Sequence, residues 1–160
     1  MILDDSVVHF LRKTEPLYIH LAVANSEGRS YSVGGFGVQT NEGKDQLKIF
    51  ILKSQAKKVL SFIHSGSGRI SSLLTDGFTN ESYQIKGSYI ESKLCTEEDN
   101  EFLSRYRKGS LKLFPKMYDK FPLSATICDS LSYYVEQVYV QTPGPYAGSR
   151  YEKGVDTHDT

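Results

Sequence analysis

The sequence has no tryptophan, only two cysteines and no excess of charge of either sign. Two cysteines cannot build a disulfide framework, and we expect Cys95 and Cys128 to stay reduced in the cytoplasm. With 19 basic and 19 acidic side chains, the chain lacks the positive excess that general nucleic-acid binding requires. No apolar run approaches the about 20 residues of a membrane span. The composition predicts a soluble cytoplasmic protein without a nucleic-acid or membrane partner.

Residues that commonly bind metals also show no recognisable spacing. The four histidines do not occur at metal-ligand intervals, and neither cysteine has a second cysteine nearby in the sequence. There is also no Gly-x-Ser-x-Gly motif of the kind that presents a nucleophilic serine. We therefore predict no metal site and assign no catalytic residue from the sequence.

Apolar periodicity and turn residues predict one domain over residues 1–160, with about 154–160 as a flexible tail. Helices are predicted near residues 6–13, 54–65, 96–109 and 115–121, and six strands near residues 17–24, 30–39, 46–53, 69–75, 81–93 and 131–141. Because most connections are short, the sheet is expected to be antiparallel and closed or half closed. The predicted fold class is mainly β (α+β), a six-stranded antiparallel split β-barrel with flanking helices.

Three lysines crowd the start of the second predicted helix. Lys53, Lys57 and Lys58 lie where the helix dipole disfavours positive charge, beside backbone N–H groups that have no intrahelical acceptor. Ser54 is the predicted N-cap. A bound anion, and above all a phosphate, would explain this arrangement. The alternative is an ordinary surface helix with solvated lysines.

The order of these segments resembles the pyridoxamine 5′-phosphate oxidase-like family of FMN-binding split barrels. The resemblance lies in the hairpin 17–39, in the strand 48–52 followed by Ala56-Lys57-Lys58, and in the segments 69–74 and 83–87. It covers residues 17–91 well and the last third of the chain loosely. It implies FMN as cofactor and a homodimer with FMN at the subunit interface.

The resemblance also implies roles for individual residues. Lys57 and Lys58 would hold the FMN phosphate with Ser54, and Ile51 and Leu52 would lie beside the ribityl chain. The other implied cofactor contacts are Val33, Gly34, Gly35, Phe36, Gly37 and Val38 along the flavin ring, Ser82 on the fifth strand, and Arg150 reaching the partner subunit. The glycines among them indicate close backbone approach to a flat ligand or a bulge in the strand.

Three functions remain open at this point. The first is an FMN-dependent oxidoreductase acting on an unidentified small molecule, in which the cofactor supplies the redox chemistry. The second is a non-catalytic flavin or haem carrier or sensor on the same barrel. The third is a barrel that binds only a protein partner. A second basic stretch, from Arg105 to Lys120 with interleaved aromatic residues, indicates either an anion site or the solvated side of helices.

Overall fold

The computed structural model describes residues 1–113 and 127–152. Within these ranges the chain forms three helices and seven strands. Their order is α1 (Asp5–Lys13), β1 (Leu17–Ala24), β2 (Ser30–Gly35), β3 (Val38–Thr40), β4 (Gln46–Leu52), α2 (Lys53–Ser65), β5 (Arg69–Asp76), β6 (Ser82–Leu94), α3 (Glu97–Leu113) and β7 (Cys128–Val140). The predicted helix at 115–121 and the predicted tail at 154–160 lie outside the described residues.

All strands pair antiparallel in one sheet of order β2-β1-β5-β6-β7-β4-β3. The described residues form seven strands where six were predicted, and the hydrogen-bonded sheet is open. The reason is a break in the predicted strand 30–39 at Phe36 and Gly37. Its first half pairs with β1 and its second half with β4, so one stretch of chain supplies both edges of the sheet.

Two hydrogen bonds hold the break against β4. The Phe36 N–H donates to the Phe50 carbonyl (2.9 Å), and the Phe50 N–H donates to the Gly37 carbonyl (3.1 Å). Gly35 lies just before the break, where an added Cβ would come within 2.6 Å of Ile19 and 2.9 Å of Ile49. The chain therefore crosses from one edge strand to the other only because no side chain occupies position 35.

The sheet wraps one face around the main apolar core. Along β1 the residues Leu17, Ile19, Leu21 and Val23 are buried, while Tyr18 and His20 point outward and are exposed. This alternation follows from the two-residue period of a strand. Helix α1 adds Val7 and Phe10 among others to this core, and α2 adds Ala56, Val59 and Ile63.

A second, smaller apolar cluster lies on the opposite face of β4, beneath α3. Its buried members are Phe50, Leu103 and Cys128, with Cys95 and Phe102 packed against them. Although Cys95 and Cys128 are far apart in the sequence, the fold brings both into this one cluster. Burial raises the pKa of both thiols to about 11, and nearby carboxylates add to the effect.

The longest strand pair, β6 with β7, carries two irregularities. The register shifts between Lys86 and Gly87 and shifts back between Tyr89 and Glu91. At the first shift a Cβ on Gly87 would lie 1.6 Å from the Tyr134 carbonyl oxygen of β7. The two backbones approach so closely here that only glycine fits.

Because the two backbones lie so close, adding a methyl group at position 87 should destabilise the folded protein. Gly87→Ala should lower the free energy of unfolding by about 3 kcal/mol, because the clash is with backbone that cannot rotate away. Chemical denaturation monitored by circular dichroism measures the difference. Gly34→Ala is the matched control, since a Cβ at Gly34 meets nothing within 4 Å. Equal stability of the two variants would contradict the described pairing of β6 and β7.

None of the helices in the described part of the chain is long and apolar enough to cross a membrane.

Candidate functional site

Strand β4 runs directly into α2 without a turn. Leu52 is the N-cap residue, its backbone is extended, and no side chain caps this helix end. The prediction of Ser54 as N-cap is wrong, because the helix already begins at Lys53, whose N–H donates to the Ile127 carbonyl (2.9 Å). Ser54 is exposed in the first turn, and that turn contains no acidic residue. The positive end of the helix dipole therefore lacks an acidic or capping side chain of its own.

The three lysines of this region differ in their surroundings. The Lys53 Nζ atom lies 4.0 Å from Asp129 Oδ1, so part of its charge is compensated. The Lys58 Nζ atom lies 4.3 Å from the centre of the Tyr31 ring on β2. Lys57 is exposed and forms no ion pair with any residue in the described ranges. Positive charge is thus available at Lys57 and Lys58, whose role as phosphate contacts stays a prediction.

The glycines at the strand break face three different environments. A Cβ on Gly34 would enter open space, and one on Gly35 would enter the main core. A Cβ on Gly37 would lie 2.7 Å from the Phe102 ring of α3. A flat ligand therefore finds an open surface at Gly34, whereas Phe102 already occupies the space beside Gly37.

A cleft of about 200 Å³ opens beside Gly34, Gly35 and Phe36. Its walls are mostly apolar, and Tyr106 and Ser110 of α3 form one side. The remaining lining residues are Pro16, Leu17, Tyr18, Ile19 and His20. Its size and apolar character suit part of a planar aromatic group.

The cleft and the start of α2 both adjoin strands β2 and β4. Lys58 lies over Tyr31 of β2, and Leu52, the last residue before the helix, packs in the same small cluster as Phe36. Tyr31 and Gly34 are three residues apart on β2 and therefore point to opposite faces of the sheet.

The other implied cofactor contacts lie in varied positions. Val33, Val38 and Ile51 point into the main core, so only their backbone could reach a ligand. The Ser82 hydroxyl donates to the Asn80 carbonyl in the turn after β5 and also lies within hydrogen-bond distance of Thr75 Oγ1 on β5. Arg150 is exposed and forms an isolated bridge with Tyr139. The roles of these residues as cofactor contacts stay predictions.

Tyr106, which lines the cleft, belongs to the basic stretch with interleaved aromatic residues, whereas Phe102 was not singled out from the sequence. Phe102 and Tyr106 are four residues apart on α3, and their rings stack at 6.4 Å between centroids. Phe102 also lies 5.4 Å from Phe50, and the Tyr106 hydroxyl donates to the Leu17 carbonyl at 2.7 Å. The i, i+4 aromatic spacing was the available signal, because such residues meet on one helix face.

A partly buried ion pair fixes the start of α3. The Lys48 ammonium of β4 donates to Asp99 Oδ1 at 2.7 Å, and the Asp99 side chain is only 6% exposed. Asp99 and Thr96 also exchange two hydrogen bonds, each backbone N–H donating to the other's side chain, as in a capping box. Burial disfavours the charged carboxylate, but the hydrogen bonds from Lys48 and Thr96 outweigh it, so the pKa of Asp99 is lowered.

This ion pair predicts a pH-dependent contribution to stability. Because the pKa is lowered on folding, the contribution is present above the unfolded value of about 3.9 and disappears as the pH falls through the folded value. Asp99→Asn should cost about 2 kcal/mol at neutral pH, and the difference from the native protein should vanish in acid. Urea titrations across the pH range measure it. In Lys48→Met the same Asp99→Asn change should cost clearly less, and an unchanged cost would contradict the coupling.

Among residues 1–113 and 127–152, no group of three histidine, cysteine or acidic side chains is arranged to hold a metal ion.

No protein-family model matches this chain, and no curated protein sequence is significantly similar to it. Solved structures nevertheless share its fold. HupZ of Group A Streptococcus has a TM-score of 0.57 and 10% sequence identity, covering 92% of this chain and 100% of that one. A protein related to general stress protein 26, of the pyridoxinephosphate oxidase family, from Clostridium acetobutylicum has a TM-score of 0.51 and 12% identity, covering 86% of this chain and 89% of that one.

A suggested pyridoxamine 5′-phosphate oxidase from Lactobacillus delbrueckii also has this fold, with a TM-score of 0.50 and 12% identity over 86% of this chain and 93% of that one. The chain therefore has the fold of the pyridoxamine 5′-phosphate oxidase-like proteins, and the resemblance is confirmed at the level of the fold. At these identities the likeness shows the architecture alone.

Proposed function

We propose that this protein binds FMN, with the phosphate at the start of α2 and the ring against the open surface at Gly34. The observation that carries the proposal is the uncapped end of α2. Its backbone donors lack a capping side chain, and Lys57 and Lys58 are free of carboxylate partners in the described structure. A dianionic phosphate would accept hydrogen bonds from the backbone donors and would also balance the charge of the two lysines.

The phosphate would be held by charge and by backbone together. Lys57 and Lys58 would neutralise it as point charges, and the N–H groups of the first turn would donate hydrogen bonds to its oxygens. Ser54 lies in that turn and would add a hydroxyl donor. Lys53 contributes less, because Asp129 lies beside it.

The ring would occupy the cleft beside Gly34 and Phe36, with the ribityl chain along the backbone of Ile51 and Leu52. The apolar walls would exclude water, and Tyr106, held by its hydrogen bond to Leu17, would fix one side of the cleft. When bound, the flavin supplies hydride and electron transfer. The protein would then be an oxidoreductase of a small molecule, and it would work as a homodimer with Arg150 and Ser82 as further contacts.

The test compares FMN with riboflavin, which lacks the phosphate. We expect Lys57→Gln/Lys58→Gln to weaken FMN binding roughly 10- to 100-fold, because two charge-assisted contacts are lost. Riboflavin affinity should not change. Flavin fluorescence quenching gives both affinities, and Lys13→Gln/Lys108→Gln is the charge-matched control. If the native protein binds riboflavin as tightly as FMN, the phosphate site is absent.

Reduction of the bound flavin by a nicotinamide donor distinguishes an oxidoreductase from a flavin carrier. In an oxidoreductase, NADH or NADPH should bleach the flavin absorption and an acceptor should restore it. A flavin that stays oxidised with both donors indicates a carrier or sensor. A chain that takes up haemin with a Soret band but refuses FMN would contradict the flavin proposal. Sedimentation velocity tests the dimer, with a single species near 18.0 kDa as the contrary result.

A further inference from the structure

A larger cleft lies on the other side of Tyr106. It has a volume of about 590 Å³ and is formed by the end of α1, residues 14–17, β3 and one face of α3. Its apolar lining consists of Leu11, Leu17, Val38, Phe102 and Tyr106, and its polar lining of Arg12, Thr14, Glu15, Gln39, Thr40 and Arg105. The volume lies within the range of small-molecule sites, about 300–1,000 Å³.

Two arginines line this cleft without a carboxylate partner. Neither Arg12 nor Arg105 forms an ion pair with any residue of the two described ranges, and both are exposed. Glu15 is the single acidic residue of the lining, and its carboxylate lies against the backbone of Gly109, where a Cβ would come within 2.6 Å of Oε2. The charged side chains of the lining therefore carry a net positive charge.

The apolar part of the cleft is held rigidly. Leu11, Leu17 and Val38 belong to the main core, so their positions are fixed by packing. The Phe102 and Tyr106 rings stack on each other, and the Tyr106 hydroxyl is bound to the Leu17 carbonyl. Aromatic and aliphatic surface that is already ordered loses little entropy on binding a ligand.

We propose that this cleft binds a small organic anion with a flat apolar body, such as an aromatic carboxylate. The guanidinium groups of Arg12 and Arg105 would pair with the carboxylate, for which the planar fork of arginine is suited. The apolar body would lie against Phe102 and Tyr106. Arginines that are only solvated surface residues would not be expected beside an ordered apolar surface, whereas a site for an apolar anion needs both.

The inference goes beyond the flavin proposal and does not depend on it. The two clefts share Leu17 and Tyr106 but otherwise have different linings, and the lysines of α2 line neither. Binding to this cleft can therefore be measured without any flavin present, and the failure of one proposal leaves the other standing.

The experiment is a titration of the ¹⁵N-labelled 160-residue chain with 2-naphthoate, followed by amide chemical shifts. Shifts are expected at Thr40, Phe102, Arg105 and Tyr106, in the lining of the cleft. The neutral analogue 2-naphthylmethanol, which keeps the apolar body, should bind roughly tenfold more weakly because it lacks the charge-assisted contact. Arg12→Gln/Arg105→Gln should weaken the binding of 2-naphthoate by a similar factor and leave the binding of 2-naphthylmethanol unchanged.

A matched control removes the same charge from the same helices. Lys13 and Lys108 are exposed on α1 and α3 and do not line the cleft, so Lys13→Gln/Lys108→Gln should bind 2-naphthoate like the native protein. The proposal is overturned if the two double variants behave alike or if the neutral analogue binds as tightly as the anion. It is also overturned if the shifts appear along 53–58 instead of in the cleft. Well-dispersed spectra of the variants confirm that they remain folded.

Discussion

The architecture depends on a steric constraint at Gly35. One stretch of chain must leave β1 and continue along β4, and it passes Ile19 and Ile49 so closely that a Cβ has no room. This passage brings the two edges of the sheet together through Phe36 and Gly37, with the two hydrogen bonds to Phe50 as its anchor. It also leaves Gly34 facing outward. The same constraint thus shapes the sheet and creates the open surface of the candidate site.

Helix α3 converts that surface into clefts. The pair of Lys48 and Asp99 fixes its first turn to β4, while Phe102 fills the space beside Gly37. Tyr106 then separates a small apolar cleft from a larger, positively charged one. The position of α3 beside both clefts is therefore supported by the ion pair of Lys48 and Asp99 and by the stacked rings of Phe102 and Tyr106.

Local signals predicted most of the strands, because turn residues and alternation are properties of neighbouring residues. The strand at residues 17–24 is an example. The break at Phe36 was not predictable in this way, because it depends on Ile19 and Ile49. Likewise the true start of α2 depends on the carbonyl of Ile127, which is distant in sequence. Of the candidate site, the lysines were proposed from the sequence and their role stays a prediction, whereas the stacking of Phe102 on Tyr106 was recognised only in three dimensions.

The uncapped start of α2 has a thermodynamic consequence. A helix whose first turn lacks a side-chain cap begins with its least stable segment, and an anion bound there would act as the missing cap. Occupancy would then strengthen the folded state by mass action, most of all at the junction of β4 and α2. The first turn of α2 would then owe part of its stability to a bound molecule instead of to a capping side chain of its own.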